Sequence, residues 1–140
     1  MKRFNVRVYG LWIHEGSVLV NDETIRGDKV IKFPGGGLEW GEGPRECLVR
    51  EFREELNLDI KVEDHFYTTD IFVKSAWDDT QVISLYYTVS ADAPDTVVNL
   101  FPAEERSFWM PLSEVHEDRF TLPLDKVVAR MLRQNSTGFE

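Results

Sequence analysis

Three glutamates near the middle of the chain are spaced so that together they can hold a metal ion. Glu51, Glu54 and Glu55 lie in the segment Pro44–Leu56, which the sequence predicts to be helical. At about 100° per residue, this spacing places the three carboxylates within an arc of about 100° on one side of the helix. Carboxylate oxygens are ligands that hard divalent cations prefer, so this arc is a candidate site for Mg²⁺ or Mn²⁺.

The same glutamates are unfavourable for the helix that carries them. Like charges three or four residues apart repel by roughly a few tenths of a kcal/mol, and negative charge near the C-terminal end opposes the helix dipole. A bound cation would turn this repulsion into coordination. The alternative is a solvated helix face on which Arg50 and Arg53 form ordinary salt bridges. Periodicity alone leaves both interpretations open.

The predicted helix also has an apolar face that can anchor it. Leu48, Phe52 and Leu56 recur every four residues and fall in an arc separate from the acidic one. Pro44 suits the first turn of a helix, and Asn57 is a residue that can end one in the left-handed conformation. The acidic side chains are therefore expected to project from a helix packed on a core.

The rest of the chain predicts strands around this helix and a second helix near the end. Strands are expected at residues 4–13, 17–20, 30–33, 60–73, 81–90 and 107–111, and the closing helix at 123–133. Residues 4–20 read as a hairpin, and strands 60–73 and 81–90 are expected to pair antiparallel. Loops are expected at the four segments 21–29, 35–37, 74–80 and 91–105, and the tail 134–140 is expected to fray. This order, without regular βαβ alternation, predicts one α+β or αβα domain over residues 1–140.

Composition excludes several classes of function. The formal net charge of −9 argues against a protein that binds DNA or RNA through a basic surface. A phosphorylated ligand would need positive charge from elsewhere, which a bound cation could provide. One cysteine and three scattered histidines do not suggest a zinc site. No apolar run suggests a membrane span or a signal peptide, so a cytoplasmic protein is expected.

The acidic helix and the loop before it together match a known pattern. Residues 36–58 resemble the Nudix box through the positions Gly36, Glu42, Arg50, Glu51, Phe52, Glu54, Glu55 and Leu58. One position departs from the pattern, because Asn57 stands where the box has glycine. Asn is the usual substitute where a residue must take positive φ, so this change leaves the catalytic roles in place. The sequence Phe-Pro-Gly-Gly at 33–36 agrees with the same family.

The resemblance implies a fold and a role for each matching residue. The implied fold is a Nudix-like αβα sandwich, a mixed β-sheet flanked by helices. By the same resemblance, Glu54 and Glu55 ligate Mg²⁺ or Mn²⁺, Glu51 ligates metal or accepts the proton of water, and Arg50 orients the acidic cluster. The carbonyl of Gly35 corresponds to one that can join the metal shell.

The general base is left open by the sequence. The family uses either a box glutamate or one from a later loop, and Glu104 and Glu105 occupy a comparable stretch before Trp109. An ordinary solvated loop pair is the alternative for these two. Side chains that could stack on a base or contact phosphate are equally consistent with core or ordinary surface: Phe33, Trp40, Trp77, Tyr86, Phe101, Arg26, Lys29 and Lys32.

The function implied by the resemblance is metal-dependent hydrolysis of a small molecule. The expected substrate is a nucleoside diphosphate linked to another group, and relatives of this family also allow a homodimer. One alternative is a non-catalytic Nudix-like module that binds nucleotides as a sensor, although the complete acidic set argues against it. Another is a diphosphate isomerase of related fold, but Cys47 is in the wrong place for that chemistry and is expected to be a small buried residue.

Overall fold

The computed structural model describes residues 3–92 and 105–135 of the chain. Its elements in these ranges are β1 Arg3–His14, β2 Ser17–Ile25, β3 Asp28–Lys32, β4 Gly35–Gly37, α1 Pro44–Leu56, β5 Lys61–Thr68, β6 Thr80–Ser90, β7 Glu105–Pro111 and α2 Pro123–Gln134. Two short 3-10 turns, Leu112–Glu114 and Glu117–Arg119, join β7 to α2. Neither of the described α-helices is long and apolar enough to span a bilayer.

β1 is the centre of a mixed sheet. The strands run in the order β3-β2-β1-β6-β5, while β4 pairs with β1 and β7 pairs with β2. β1 and β6 are parallel over the register from Arg3↔Thr80 to Trp12↔Val89. The other named pairs are antiparallel, including the predicted β1–β2 hairpin and the predicted pair of β5 with β6. Both of these predicted pairings are confirmed.

The sheet separates two hydrophobic cores, one under each helix. Successive side chains of a strand point to opposite faces. Val8 and Trp12 of β1 pack with the residues of α1, which are Cys47, Leu48, Phe52 and Leu56. Tyr9 and Leu11 pack with the residues of α2, which are Leu124, Val128, Ala129 and Leu132. The predicted αβα sandwich with a mixed sheet is therefore confirmed.

The acidic helix begins and ends where the sequence predicts. Glu46 accepts a hydrogen bond at 2.9 Å from the backbone amide of Gly43, which satisfies a donor that the helix start leaves free. Asn57 takes the left-handed conformation, with φ 52° and ψ 40°, and its amide donates to the carbonyl of Arg53. Phe52 is buried, and burial of a side chain of this size stabilises the fold by about 2 kcal/mol.

The loop predicted at residues 21–29 is wrong. β2 continues into this segment and β3 begins in it, with a two-residue turn at Arg26 and Gly27, whose φ angles are 50° and 86°. Positive φ at both positions matches the tight turns that join antiparallel strands. The polar residues that suggested a loop include Asn21 and Glu23, which are buried between β3 and β7.

Three further predictions differ from the structure in part. Residues 35–37 form strand β4, although the sequence predicts a loop there. Glycine has a low strand propensity, and the strand forms because it pairs with β1. The strand predicted at 60–73 ends at Thr68. Of the loop predicted at 91–105, residues 93–104 lie outside the described residues, and Glu105 already belongs to β7. Most of the predicted frayed tail, 136–140, also lies outside them.

Candidate active site

A cavity of about 470 Å³ connects α1 with the start of α2. Gly35, Gly36, Glu51 and Glu55 line it on the side of α1 and β4. The sheet contributes side chains of β1 and β6, and the first turn of α2 contributes Asp125. The volume is within the range of roughly 300–1,000 Å³ that is typical of small-molecule sites.

Arg50 holds the acidic cluster together. Its Nε and Nη2 atoms donate to the two oxygens of Glu42 at 3.0 and 2.7 Å, and Nη1 donates to Glu51 at 2.9 Å and to Glu54 at 3.2 Å. Nη2 also donates to the carbonyl of Gly37 at 3.1 Å. The hydrogen bond from Arg50 is the largest cause that lowers the pKa of Glu42 to about 2. One guanidinium therefore joins the loop before α1, the glycine strand and the acidic face, which fits the orienting role implied for it.

Glu51 lies against the glycine strand. A Cβ added to Gly36 would stand 2.5 Å from Cδ of Glu51, closer than real side chains approach. Only about an eighth of the Glu51 side chain is exposed, at 13%. Glycine at this position therefore lets the main chain of β4 come within contact of the carboxylate.

Glu55 is the most perturbed carboxylate of the helix. Burial is the largest cause that raises its pKa to about 8, and the negative charges of Glu51 and Glu23 act in the same direction. The ammonium of Lys32 opposes them and favours the ionised form. A carboxylate that holds a proton this tightly would release it when a cation binds, because metal ligands must be deprotonated.

Two buried or half-buried cations face this acidic wall. Lys32 is 4% exposed, lies 3.8 Å from Glu23 and stands over the ring of Tyr9 at 5.1 Å. Arg7 donates from Nε to the Tyr9 hydroxyl at 2.6 Å. Both line the cavity, so a negatively charged ligand there would meet positive side chains as well as carboxylates.

The structure brings together most of the residues that the sequence predicts for the site. Glu51, Glu55 and Gly35 line one cavity. Glu54 is not among the lining residues, and 57% of its side chain is exposed. Glu104 lies outside the described residues, and Glu105 starts β7 opposite Glu23. Their roles as base or extra ligand remain predictions.

The donor set fits a hard cation, although the side chains are not yet arranged around one. Within residues 3–92 and 105–135, no three acidic, histidine or cysteine side chains are grouped at metal-binding distances. Glu51 and Glu54 both accept hydrogen bonds from Nη1 of Arg50, at 2.9 and 3.2 Å. All the donors that the sequence predicts are oxygens, as Mg²⁺ and Mn²⁺ require.

Cys47 has no place in this chemistry. It is fully buried, and its Sγ lies 3.6 Å from the carbonyl of Gly37. Burial is the largest cause that raises the pKa of the thiol to about 12, whereas a nucleophilic cysteine needs a lowered pKa. The expectation of a small buried residue is confirmed.

Several lining residues were missed or only weakly suggested by the sequence. Trp77, Tyr86, Arg26 and Lys32 were open candidates and all line the cavity, where Nη1 of Arg26 donates to the Trp77 carbonyl at 2.9 Å. Arg7, Tyr9 and Asp125 were not predicted. The sequence does mark Asp125, because it is a charged residue on the apolar face of α2. It lies three residues before Val128 and four before Ala129.

An αβα sandwich in which a glycine strand faces an acidic helix is the arrangement implied by the Nudix resemblance. A family model described as the NUDIX domain matches residues 1–131. The chain therefore belongs to the Nudix family. This confirms the predicted family, and with it the predicted class of Nudix hydrolase.

Solved structures of low sequence identity share the fold. The ORF135 protein of Escherichia coli is 20% identical with a TM-score of 0.74, and the match covers 98% of this chain and 94% of that one. The MutT Nudix hydrolase of Burkholderia pseudomallei is 15% identical with a TM-score of 0.75, covering 91% and 97%. An ADP-ribose pyrophosphatase of Streptococcus suis is 16% identical with a TM-score of 0.66, covering 96% and 90%.

Proposed function

We propose that this Nudix protein is a metal-dependent pyrophosphohydrolase that cleaves the diphosphate bond of a nucleoside diphosphate linked to another group. A nucleotide sugar, ADP-ribose or a nucleoside triphosphate would be a substrate of this type. The observation that carries the proposal is the acidic face of α1, which opens with Glu51 and Glu55 into a cavity large enough for a nucleotide. The similar structure of an ADP-ribose pyrophosphatase supports the same class of substrate.

Glu51, Glu54 and Glu55 would hold Mg²⁺ or Mn²⁺, with the carbonyl of Gly35 as a further ligand. Such an ion neutralises phosphate charge and lowers the pKa of bound water toward neutrality. Arg50 fixes the directions of Glu51 and Glu54 before the ligand arrives. Glu51 would accept the proton of the attacking water, and Glu104 and Glu105 are the alternative bases.

Positive charge in the same cavity would help to bind the diphosphate. Arg7 and Lys32 line the same space as Glu51 and Glu55. Their charges offset the repulsion that a chain of net charge −9 exerts on an anionic ligand. The expected single domain over 1–140, the cytoplasmic location, the homodimer and the absence of a DNA partner remain predictions.

Phosphate release from a panel of nucleotides, with and without Mg²⁺ or Mn²⁺, tests this function. Glu54→Gln and Glu55→Gln should each reduce turnover by about a hundredfold to a thousandfold, because each removes a charged ligand worth several kcal/mol in the transition state. Glu15→Gln is the matched control, since this glutamate lies on the β1–β2 turn with 84% of its side chain exposed.

Near-full activity of both box variants would refute the proposed metal-binding roles. Nucleotide binding without turnover in the wild-type protein would instead indicate a sensor module. Circular dichroism of each variant separates loss of chemistry from loss of fold.

A further inference from the structure

Tyr9 contacts two cations that line the cavity. Its hydroxyl accepts a hydrogen bond at 2.6 Å from Nε of Arg7, which lies two residues earlier on β1. Nζ of Lys32 stands 5.1 Å from the centre of the Tyr9 ring, within the range of a cation–π contact. Tyr9 is only 3% exposed, so both contacts are stronger than the same contacts would be in water. One buried side chain therefore holds two positive charges in place.

Both cations keep N–H groups that no described residue accepts. Arg7 uses Nε for Tyr9, and neither of its Nη atoms makes a hydrogen bond in the part of the chain that the structure describes. The ammonium of Lys32 makes none with these residues either, because its ion pair with Glu23 is 3.8 Å long. None of these nitrogens is sealed from solvent, and both side chains line the cavity. Charged donors without an acceptor in a cavity fit an anionic ligand.

Strand β4 places Arg7 next to the acidic cluster. A Cβ added to Gly37 would stand 3.6 Å from Nη1 of Arg7, whereas one added to Gly36 would meet the carboxylate of Glu51. Burial has the largest influence on the pKa of Arg7 and lowers it, but its neighbours, among them Glu51 and Glu55, raise it overall. The guanidinium therefore stays charged beside these carboxylates. A diphosphate held at Glu51 through a metal ion would lie near Arg7.

We propose that Tyr9 is a positioning residue for the substrate, which holds Arg7 by its hydroxyl and Lys32 by its ring and so leaves their other N–H groups for a phosphoryl group. The proposal rests on the proposed function, since it states how the cations that would bind the diphosphate are held. Long side chains lose freedom when they bind a ligand, and holding them in place beforehand reduces that cost. A phenol suits this role because its hydroxyl accepts a hydrogen bond while its ring face attracts a second cation.

Tyr9→Phe tests this role, because it removes the hydroxyl and keeps the ring. KM for a substrate found in the nucleotide panel should rise about tenfold with kcat within about twofold, since the phosphate contact exists before and in the transition state. Tyr87→Phe is the matched control and should keep the wild-type KM, because Tyr87 is a buried tyrosine that packs on the α1 side and does not line the cavity. A fall in kcat at constant KM, or equal effects of the two variants, would overturn the proposal.

A double-mutant cycle tests whether Tyr9 acts through Arg7. Arg7→Met removes the guanidinium that the hydroxyl holds, so adding Tyr9→Phe to it should change KM by less than about twofold. A loss of about tenfold from Tyr9→Phe in both backgrounds would show that the hydroxyl acts elsewhere, and would overturn the proposal. Circular dichroism of the four proteins separates these effects from loss of fold.

Calorimetry with inorganic pyrophosphate and Mg²⁺ separates this inference from the proposed function, because it needs no cleavage. Tyr9→Phe should bind pyrophosphate about tenfold more weakly than wild type, and Tyr87→Phe should bind it equally well. This pattern in a protein that hydrolyses no diphosphate would support the role of Tyr9 and refute the hydrolase. Metal-dependent hydrolysis with wild-type pyrophosphate affinity in Tyr9→Phe would support the hydrolase and refute the role of Tyr9. A wild-type protein that binds no pyrophosphate would also refute that role.

Discussion

The two walls of the cavity differ in how their carboxylates are satisfied. On the α1 side, Arg50 donates to Glu51, which lines the cavity, and to Glu42 and Glu54 beside it, so these charges are paired within the protein. On the α2 wall, Asp125 receives one hydrogen bond from Tyr86, 39 residues away, and keeps one oxygen without a partner. The first wall is a preassembled cluster from one sequence segment, whereas the second keeps a buried oxygen without a partner.

Paired and unpaired carboxylates have different effects on the stability of the fold. A paired cluster contributes to the fold before any ligand binds, and its loss should lower stability as well as activity. A buried carboxylate with an unpaired oxygen opposes folding. Substitutions of Arg50 and of Asp125 should therefore change stability in opposite senses.

The pH dependence of stability gives the largest expected contrast. Burial raises the pKa of Asp125 from 3.8 to about 6, so the folded protein holds this proton more tightly than the unfolded chain. Wild-type protein should therefore lose stability as pH rises from about 4 to about 6 and should not regain this contribution above that window. The Asp125→Asn variant does not titrate at this position. Its free energy of unfolding, relative to that of wild type, should therefore rise by on the order of 1–3 kcal/mol as pH increases across this window.

Urea denaturation at several pH values measures this shift, and Asp118→Asn provides the exposed control. Parallel stability curves for Asp125→Asn and wild type would show that Asp125 does not oppose folding. The contrast between the two walls would then be lost.

Arg50→Lys should have the next largest effect. Lysine keeps the charge, but its single nitrogen cannot make the two contacts with Glu42 and also reach Glu51 and Glu54, so stability should fall by about 1–2 kcal/mol and turnover should fall with it. Arg53→Lys is the control on the same helix, because Arg53 is exposed and pairs with Asp59 at the surface. Its stability should change by less than about 0.5 kcal/mol.

Equal losses for Arg50→Lys and Arg53→Lys would contradict the view that the α1 wall is assembled around one guanidinium. Chemical denaturation and steady-state kinetics on the same preparations separate the two contributions.

Asn57→Gly should have the smallest effect and leave both walls intact. The residue ends α1 at φ 52°, where glycine has no steric cost, so stability should change by about a few tenths of a kcal/mol with turnover unchanged. Asn57→Ala should cost about 1 kcal/mol, because its Cβ disfavours the left-handed conformation. Thermal unfolding of the two variants provides the comparison. An equal loss in both would mean that the conformation of residue 57 does not limit the stability of α1.

The sequence predicted the parts of the molecule whose determinants are local. The bounds of α1 follow from a proline, an apolar repeat and a left-handed Asn57, all within one segment. The second half of β2 was missed because its buried residues Asn21 and Glu23 are polar, and only β3 and β7 beside them make a strand favourable. β4 consists of glycines, which have no strand propensity of their own.

The candidate site divides in the same way. Glu51, Glu54 and Arg50 share one helix, so spacing placed them close together, and the Nudix resemblance implied the orienting role of Arg50. The pair of Tyr86 and Asp125 joins β6 to α2, and spacing within one element cannot reveal a contact between two. The buried position of Lys32 likewise depends on Glu23 and Tyr9 from other strands.

The neighbouring glycines of β4 would respond differently to a missense change. A Cβ at Gly35 would stand 2.1 Å from the backbone oxygen of Val8, so the pairing of β4 with β1 must break. At Gly36 the nearest atoms belong to the end of the Glu51 side chain, which can rotate away while the backbone stays. An allele altered at codon 35 would therefore reduce the amount of protein, whereas one altered at codon 36 would yield normal amounts of a chain that behaves like a Glu51 mutant.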